Sequence, residues 1–401
     1  MWGVEQLWPE TFLIAAGLVQ RWRWGLIAFL ILYGFGVWWQ RESTSALLAF
    51  DTKACQLNLT FVGLTAFMWW VSPLSQASGW AVLLQLGSYG LLLRSVNLAF
   101  SWALMESGAI GGYFLVANAG ASPERWGTAI RYLTWSVIGS ALVLLSIAVR
   151  LVEHHSLFYP LESGGEWADH LFSIGWALKV GFIPWHFWMM SLYRTLPVAW
   201  GGWFSIVPKG ALLLNLLSSL KEGGLKLDLW YGHAILSMLG AYALGWRAQD
   251  LTEMIFWGSF AQGAYTALAA TAGGKEAGWD FWQVYSIGGP LALLYASVPW
   301  QSREGRSIGL LLLANLAAVP PILGFWVKLQ LFWVSVAFLS EGERWVLIGA
   351  ALFATIGGFA VYGKLLWRLW HQEAVEEPPL ILKSAYILSS IVLLVLGLRG
   401  V

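Results

Sequence analysis

Apolar runs broken by short polar or Gly/Pro-rich stretches fill nearly the whole chain. They predict helices near residues 9–20, 24–40, 56–72, 79–94, 97–117, 127–150, 168–190, 197–219, 229–246, 253–272, 281–298, 308–338, 345–369 and 384–399. A run of about 20 apolar residues spans a bilayer as a helix. The pattern therefore predicts an all-α, polytopic membrane bundle of about fourteen transmembrane helices. The longest polar connection, 152–167, holds Glu153, His154, His155, Glu162 and Glu166. His154 and His155 read as a loop pair, and no metal site is expected.

Composition agrees with this pattern. Of 401 residues, 58% are hydrophobic and only 11% charged, with mean hydropathy +0.64. Soluble domains carry about 25% charged residues, so the expected solvent is a bilayer. The net charge of +1 comes without a basic run, and no nucleic-acid partner is expected. Cys55 is the single cysteine, which excludes a disulfide or a cysteine-held iron–sulfur cluster within the chain. Many of the 29 Trp residues, such as Trp22, Trp24, Trp38, Trp39, Trp69 and Trp70, fall near predicted span ends. Amphipathic rings suit the headgroup level there. Residues 1–10 carry Glu5 and Glu10 and no basic group, unlike a cleavable leader. Sorting basic residues by connection, with Arg94 and Arg150 counted on the less basic side, leans toward termini on the outside.

Four ionisable groups interrupt apolar runs. Glu106 sits in NLAFSWALMESGAIGGYFLV, Lys179 in LFSIGWALKVGFIPWHFW, Lys209 in GGWFSIVPKGALLLNLL and Lys328 in LAAVPPILGFWVKLQLFW. Each costs roughly 2.5–3.5 kcal/mol to insert at a helix centre. A structural ion pair or snorkelling to the interface would explain one such residue. Three lysines cannot all pair with one glutamate, and Lys209 lies mid-span. Proton handling suits them better: desolvation disfavours a charged lysine and a nearby carboxylate favours it, so small changes can load or unload a proton. Pro184 follows Lys179 within one predicted span, and Pro320 and Pro321 precede Lys328 within another. Interrupted helices at membrane depth recur at transport sites. His186, seven residues after Lys179, falls on its face of a continuous helix and is a candidate relay. Gln262 is a polar mid-span group that could hold water or bond a neighbouring helix. Arg131, Arg247, Asp250 and Glu253 fall near span ends and read as solvated, and Lys364 as an interfacial anchor.

At these residues the chain resembles subunit 2 of respiratory complex I, called subunit N in bacteria, one of the antiporter-like proton-translocating subunits. The resemblance is carried by LKVGFIPWHFWMMSLYRTLPVAWGGWFSIVPKGALL (178–213) and NLAAVPPILGFWVK (315–328). WPETFLIAAGL (8–18), ALMESGAIGGYFLVA (103–117) and DLTEMIFWGSFAQGAYTALA (250–269) match more faintly. The chain departs from the pattern at Met190 and Ser191, which replace a PD pair, and at Arg194, which replaces a Glu. Gln262 stands where a His is frequent, and Thr252 and Glu253 replace a basic pair.

The resemblance implies an antiporter-like fold with two inverted repeats and broken helices 7 and 12. Residues 1–78 would be N-terminal helices, 79–220 the first repeat, 229–369 the second and 370–401 a C-terminal helix. It implies a proton path through Glu106, Lys179, Lys209 and Lys328, coupled to quinone reduction elsewhere. The implied partners are other membrane-arm subunits of NADH:ubiquinone oxidoreductase, together with lipids. NADH, FMN, iron–sulfur clusters and ubiquinone would be held by partner subunits, with no cofactor in this chain. The departures from the pattern, the short length and the Trp excess point to the mitochondrial inner membrane, with the bacterial plasma membrane as the alternative. Two other readings stay open: a subunit of a stand-alone cation/proton antiporter or membrane-bound hydrogenase, and a structural spacer that no longer transports.

Overall fold

The computed structural model describes residues 23–39, 47–49, 52–119, 123–154, 156–159, 161, 164–219, 228–271, 275–300, 302–338, 340–371 and 377–399. The predicted first span, 9–20, the His155 position and the His154 side chain lie outside the described residues. The helices are α1 (Arg23–Trp39), α2 (Thr52–Val71), α3 (Gln76–Leu92), α4 (Leu98–Ala119), α5 (Arg125–His154), α6 (Gly165–Val180), α7 (Phe187–Thr195) and α8 (Val198–Ser219). They continue as α9 (Asp228–Arg247), α10 (Leu251–Thr271), α11 (Lys275–Ser297), α12 (Arg303–Ala317), α13 (Leu323–Phe338), α14 (Glu341–His371) and α15 (Leu380–Arg399). Thirteen predicted spans are thus met by fifteen helices, because 168–190 divides into α6 and α7, and 308–338 into α12 and α13.

Among the described residues, four segments are long and apolar enough to cross a membrane on those grounds alone: Thr52–Val71, Arg125–Glu153, Arg344–His371 and Leu380–Leu398. Large apolar side chains such as Leu352, Phe353 and Ile356 on α14 point outward at 60%, 66% and 67% exposure. In water such a face would be unfavourable, whereas acyl chains accommodate it.

The chain forms two compact units, Met1–Gly181 with Trp185–Trp230, and Phe182–Pro184 with Tyr231–Val401. In the first, α8 is the central helix and touches α2, α3, α4, α6 and α7. Every residue from Ala199 to Leu217 is buried, as expected of a helix that is apolar all round. Trp203 Nε1 donates to Thr65 Oγ1 (2.8 Å) and Trp200 Nε1 to the Ser72 carbonyl (2.7 Å), so these rings tie α8 to α2 rather than marking an interface with lipid. In the second unit α11 packs on α10 and α13, while α14 and α15 pack on α12.

Two residues sorted as connection charges belong to the interior. Arg94 and Arg150 are 1% and 2% exposed. Arg150 lies inside α5, whose helix runs past the end of the predicted span, and its guanidinium pairs with Asp169 of α6. Asp169 is fully buried and also accepts the Gly164 amide (3.1 Å).

Candidate functional site

The first unit gathers Glu106, Lys179 and Lys209, each on a different helix. Lys179 stands in the last turn of α6, where the helix dipole favours a cation. The helix stops there because Gly181 adopts φ 76° and its amide bonds the Ala177 carbonyl (2.9 Å). The left-handed φ requires glycine there, and a Cβ at Gly181 would also push the end of the Met189 side chain aside. Pro184 lies in the break before α7 begins at Phe187.

Lys179 Nζ donates to Glu106 Oε1 of α4 (2.8 Å) and to Ser136 Oγ of α5 (3.2 Å). Ser140, one turn beyond Ser136, hydrogen-bonds the same Glu106 oxygen. Trp102 Nε1 bonds the Ser140 carbonyl (3.0 Å) and ties α4 to α5 beside the pair. The lysine side chain is 3% exposed and the glutamate 25%. Lysine and serines meet because α5 and α6 cross backbone to backbone: a Cβ on Gly175 would lie 2.7 Å from the Gly139 carbonyl oxygen. Gly139 also faces the Lys179 stem, where a Cβ would stand 3.2 Å from Lys179 Cγ.

Lys209 follows Pro208 inside α8 and is 3% exposed. A small cavity, whose walls include Tyr89, Tyr132, Ser136, Lys179, Pro208 and Lys209, lies against both lysines. Two lysines on one cavity, one of them paired with a carboxylate, can pass a proton from ammonium to neutral amine through an intervening donor–acceptor.

The second unit holds Lys328, 4% exposed on α13. The α12–α13 break turns at Ala318, φ 60°. Asn315 Oδ1 accepts the Gly324 amide (2.9 Å), so one side chain spans the break and caps the new helix. Gln262 of α10 donates to the Leu316 carbonyl at the break (3.2 Å). The Lys328 ammonium sits 4.0 Å from the Tyr265 ring centroid.

The expectation that His186 shares a helical face with Lys179 does not hold. The helix ends at Val180, and His186 is the half-buried residue capping α7, so the seven-residue spacing no longer describes one face. Sequence reasoning passed over Ser136, Ser140, Asp169 and Tyr265. Serines four apart in an apolar span were the available signal for the first two, although such serines commonly bond their own backbone.

No family model matches the chain. Among its relatives is NADH-quinone oxidoreductase subunit N of Geotalea uraniireducens, 27% identical over 336 residues, covering 75% of this chain and 70% of that protein. The subunit N of Xanthomonas euvesicatoria is 22% identical over 429 residues, covering 93% and 83%. Among solved structures, a chain of respiratory complex I from Thermus thermophilus superposes with TM-score 0.84 at 18% identity, covering 97% of both chains. A chain of an archaeal respiratory membrane complex, the membrane-bound sulfane sulfur reductase, gives 0.84 at 17%, covering 99% and 94%. A chain of the Mrp complex from a Dietzia species gives 0.80 at 14%, covering 99% and 95%. The chain therefore has the antiporter-like membrane fold found in respiratory complex I and in these related complexes.

Proposed function

We propose that this chain is the subunit-N-like, proton-translocating membrane subunit of an NADH:quinone oxidoreductase. The observation that carries this reading is the Lys179–Glu106 pair beside the α6–α7 break, with Lys209 on the same cavity. Relatives bearing the subunit N name along most of the chain support it. In this reading Glu106 sets the charge state of Lys179, Lys209 receives the proton, and Lys328 has the corresponding role in the second unit. A unit charge moving from 4 to 8 Å at an effective dielectric constant near 20 changes an interaction by about 2 kcal/mol. That is enough to switch a poised lysine.

Glu106 is a quarter exposed near the middle of α4. A carboxylate facing lipid at that depth is unfavourable, so a neighbouring membrane-arm subunit covers it and supplies the charge change. Electron carriers (FMN and iron–sulfur clusters), NADH and ubiquinone belong to partner subunits, and lipid covers the outer apolar faces. We place the protein in an energy-coupling membrane, either the mitochondrial inner membrane or a bacterial plasma membrane. The relatives named above are bacterial, which favours the second.

The second reading, a subunit of a stand-alone cation/proton antiporter or a membrane-bound hydrogenase, is favoured by the likeness to the Mrp and sulfane sulfur reductase chains. Affinity isolation of the tagged chain in mild detergent separates the two. Co-elution of flavin and iron–sulfur subunits with NADH:quinone activity is the expected result. Co-elution of other antiporter subunits without flavin would overturn the complex I assignment.

A further inference from the structure

Lys179 and Lys328 are held by different chemistry. Lys179 has a carboxylate and a serine hydroxyl. Lys328, buried as deeply, has among the described residues an aromatic face, with its Nζ 4.0 Å from the Tyr265 centroid. Side chains on the same small cavity are Gln262, Phe281, Tyr285 and Asn315, all without formal charge at neutral pH. Gln262 is turned toward the Leu316 carbonyl (3.2 Å), and Asn315 Oδ1 is taken by the Gly324 amide.

The ring is fixed in place rather than loosely apposed. Tyr265 packs against Phe332 edge-on (6.1 Å, 68°) and against Phe281 (6.4 Å, 50°), so α10, α11 and α13 all bear on it. Phe332 follows Lys328 by one turn of α13, which binds lysine and ring to the same local geometry. A ring face is electron-rich and attracts a cation most strongly where water is excluded. A carboxylate would hold the ammonium harder and oppose proton release. A quadrupole favours the charged form while leaving it easier to discharge.

We infer that Tyr265 is the positioning residue of Lys328, its ring face serving in the second unit in place of the carboxylate that Lys179 has in the first. The inference rests on the reading of Lys328 as a proton carrier. Tyr265 does not itself transfer the proton; it sets where the ammonium stands and how readily the charged form is occupied.

The test uses the intact complex with Tyr265→Phe as the reference and ring-fluorinated phenylalanines installed at the same position. Fluorination drains the ring face at nearly constant shape, so a purely packing role would not register it. Lys328→Met is measured in parallel, with native gels for assembly. The expected result is a graded fall in NADH oxidation and proton uptake together, reaching about tenfold for the fully fluorinated ring, with Lys328→Met losing both as well. A flat response across the series, with Lys328→Met still defective, would overturn the inference and leave the proton-carrier reading standing. Wild-type uptake in Lys328→Met would remove that reading and the inference with it.

Discussion

Lys179 Nζ lies 2.8 Å from Glu106 Oε1, an ion pair that joins α6 to α4 across 73 residues of sequence. Ser136 and Ser140 of α5 hydrogen-bond the pair, so three helices meet at these two side chains. Its worth is best measured as a coupling, because removing either partner leaves the other inside the membrane.

Glu106→Gln keeps the shape and removes the charge. Quinone-coupled NADH oxidation and proton uptake should both fall roughly tenfold, in line with the loss of a coupling of more than 1 kcal/mol. The double variant Glu106→Gln/Lys179→Met should be no worse than Lys179→Met alone. Additive losses would mean that the two residues act separately.

The α5–α6 crossing makes a prediction about glycine. Gly175→Ala places a methyl group 2.7 Å from the Gly139 carbonyl oxygen, so the helices must separate. Overpacking of this kind costs about 1–3 kcal/mol and should lower the thermal transition of the purified complex, along with proton uptake. Gly127→Ala, on the same helix as Gly139 and with nothing within 4 Å of its Cβ, should lower neither.

Much of this was legible in the sequence. Helix positions followed from apolar runs, and both breaks from Pro184 and the Pro320–Pro321 pair. Glu106, Lys179 and Lys209 were singled out because charge inside an apolar run is costly, and the fold brings these three to one place. Tertiary facts were not legible. Arg150 sits at the end of an apolar run, where an ordinary interfacial arginine would also sit. Asp169 follows a polar loop and looks solvated until α6 packs it against α5. The His186 spacing failed because a helix period was carried across a break that the same reading had predicted. Tyr265 is one aromatic among many, and only packing sets its face toward Lys328.

Arg150 and Asp169 form a second buried ion pair, between α5 and α6 and apart from the lysine line. Removing one partner of such a pair costs about 3–5 kcal/mol, whereas replacing both by apolar residues costs far less. Arg150→Met and Asp169→Leu should each impair assembly or lower the thermal transition strongly, and the double variant should recover part of the loss. A double variant as damaged as the sum of the singles would contradict this.

Asn315→Leu should loosen the start of α13. The Gly324 amide loses its acceptor, a penalty of about 1–3 kcal/mol for a buried donor. Hydrogen exchange across residues 323–328 should accelerate by tenfold or more, while exchange in α8 stays unchanged.

The central claim is that Lys179 is a working member of a coupled proton path, and Lys179→Met in the native complex tests it most directly. The complex would be reconstituted with quinone, NADH oxidation and proton uptake followed together, and assembly checked on a native gel. The account predicts an assembled complex in which turnover and proton uptake fall together. An assembled complex with wild-type rates and proton yield would contradict it, and would make the Lys179–Glu106 pair a structural brace.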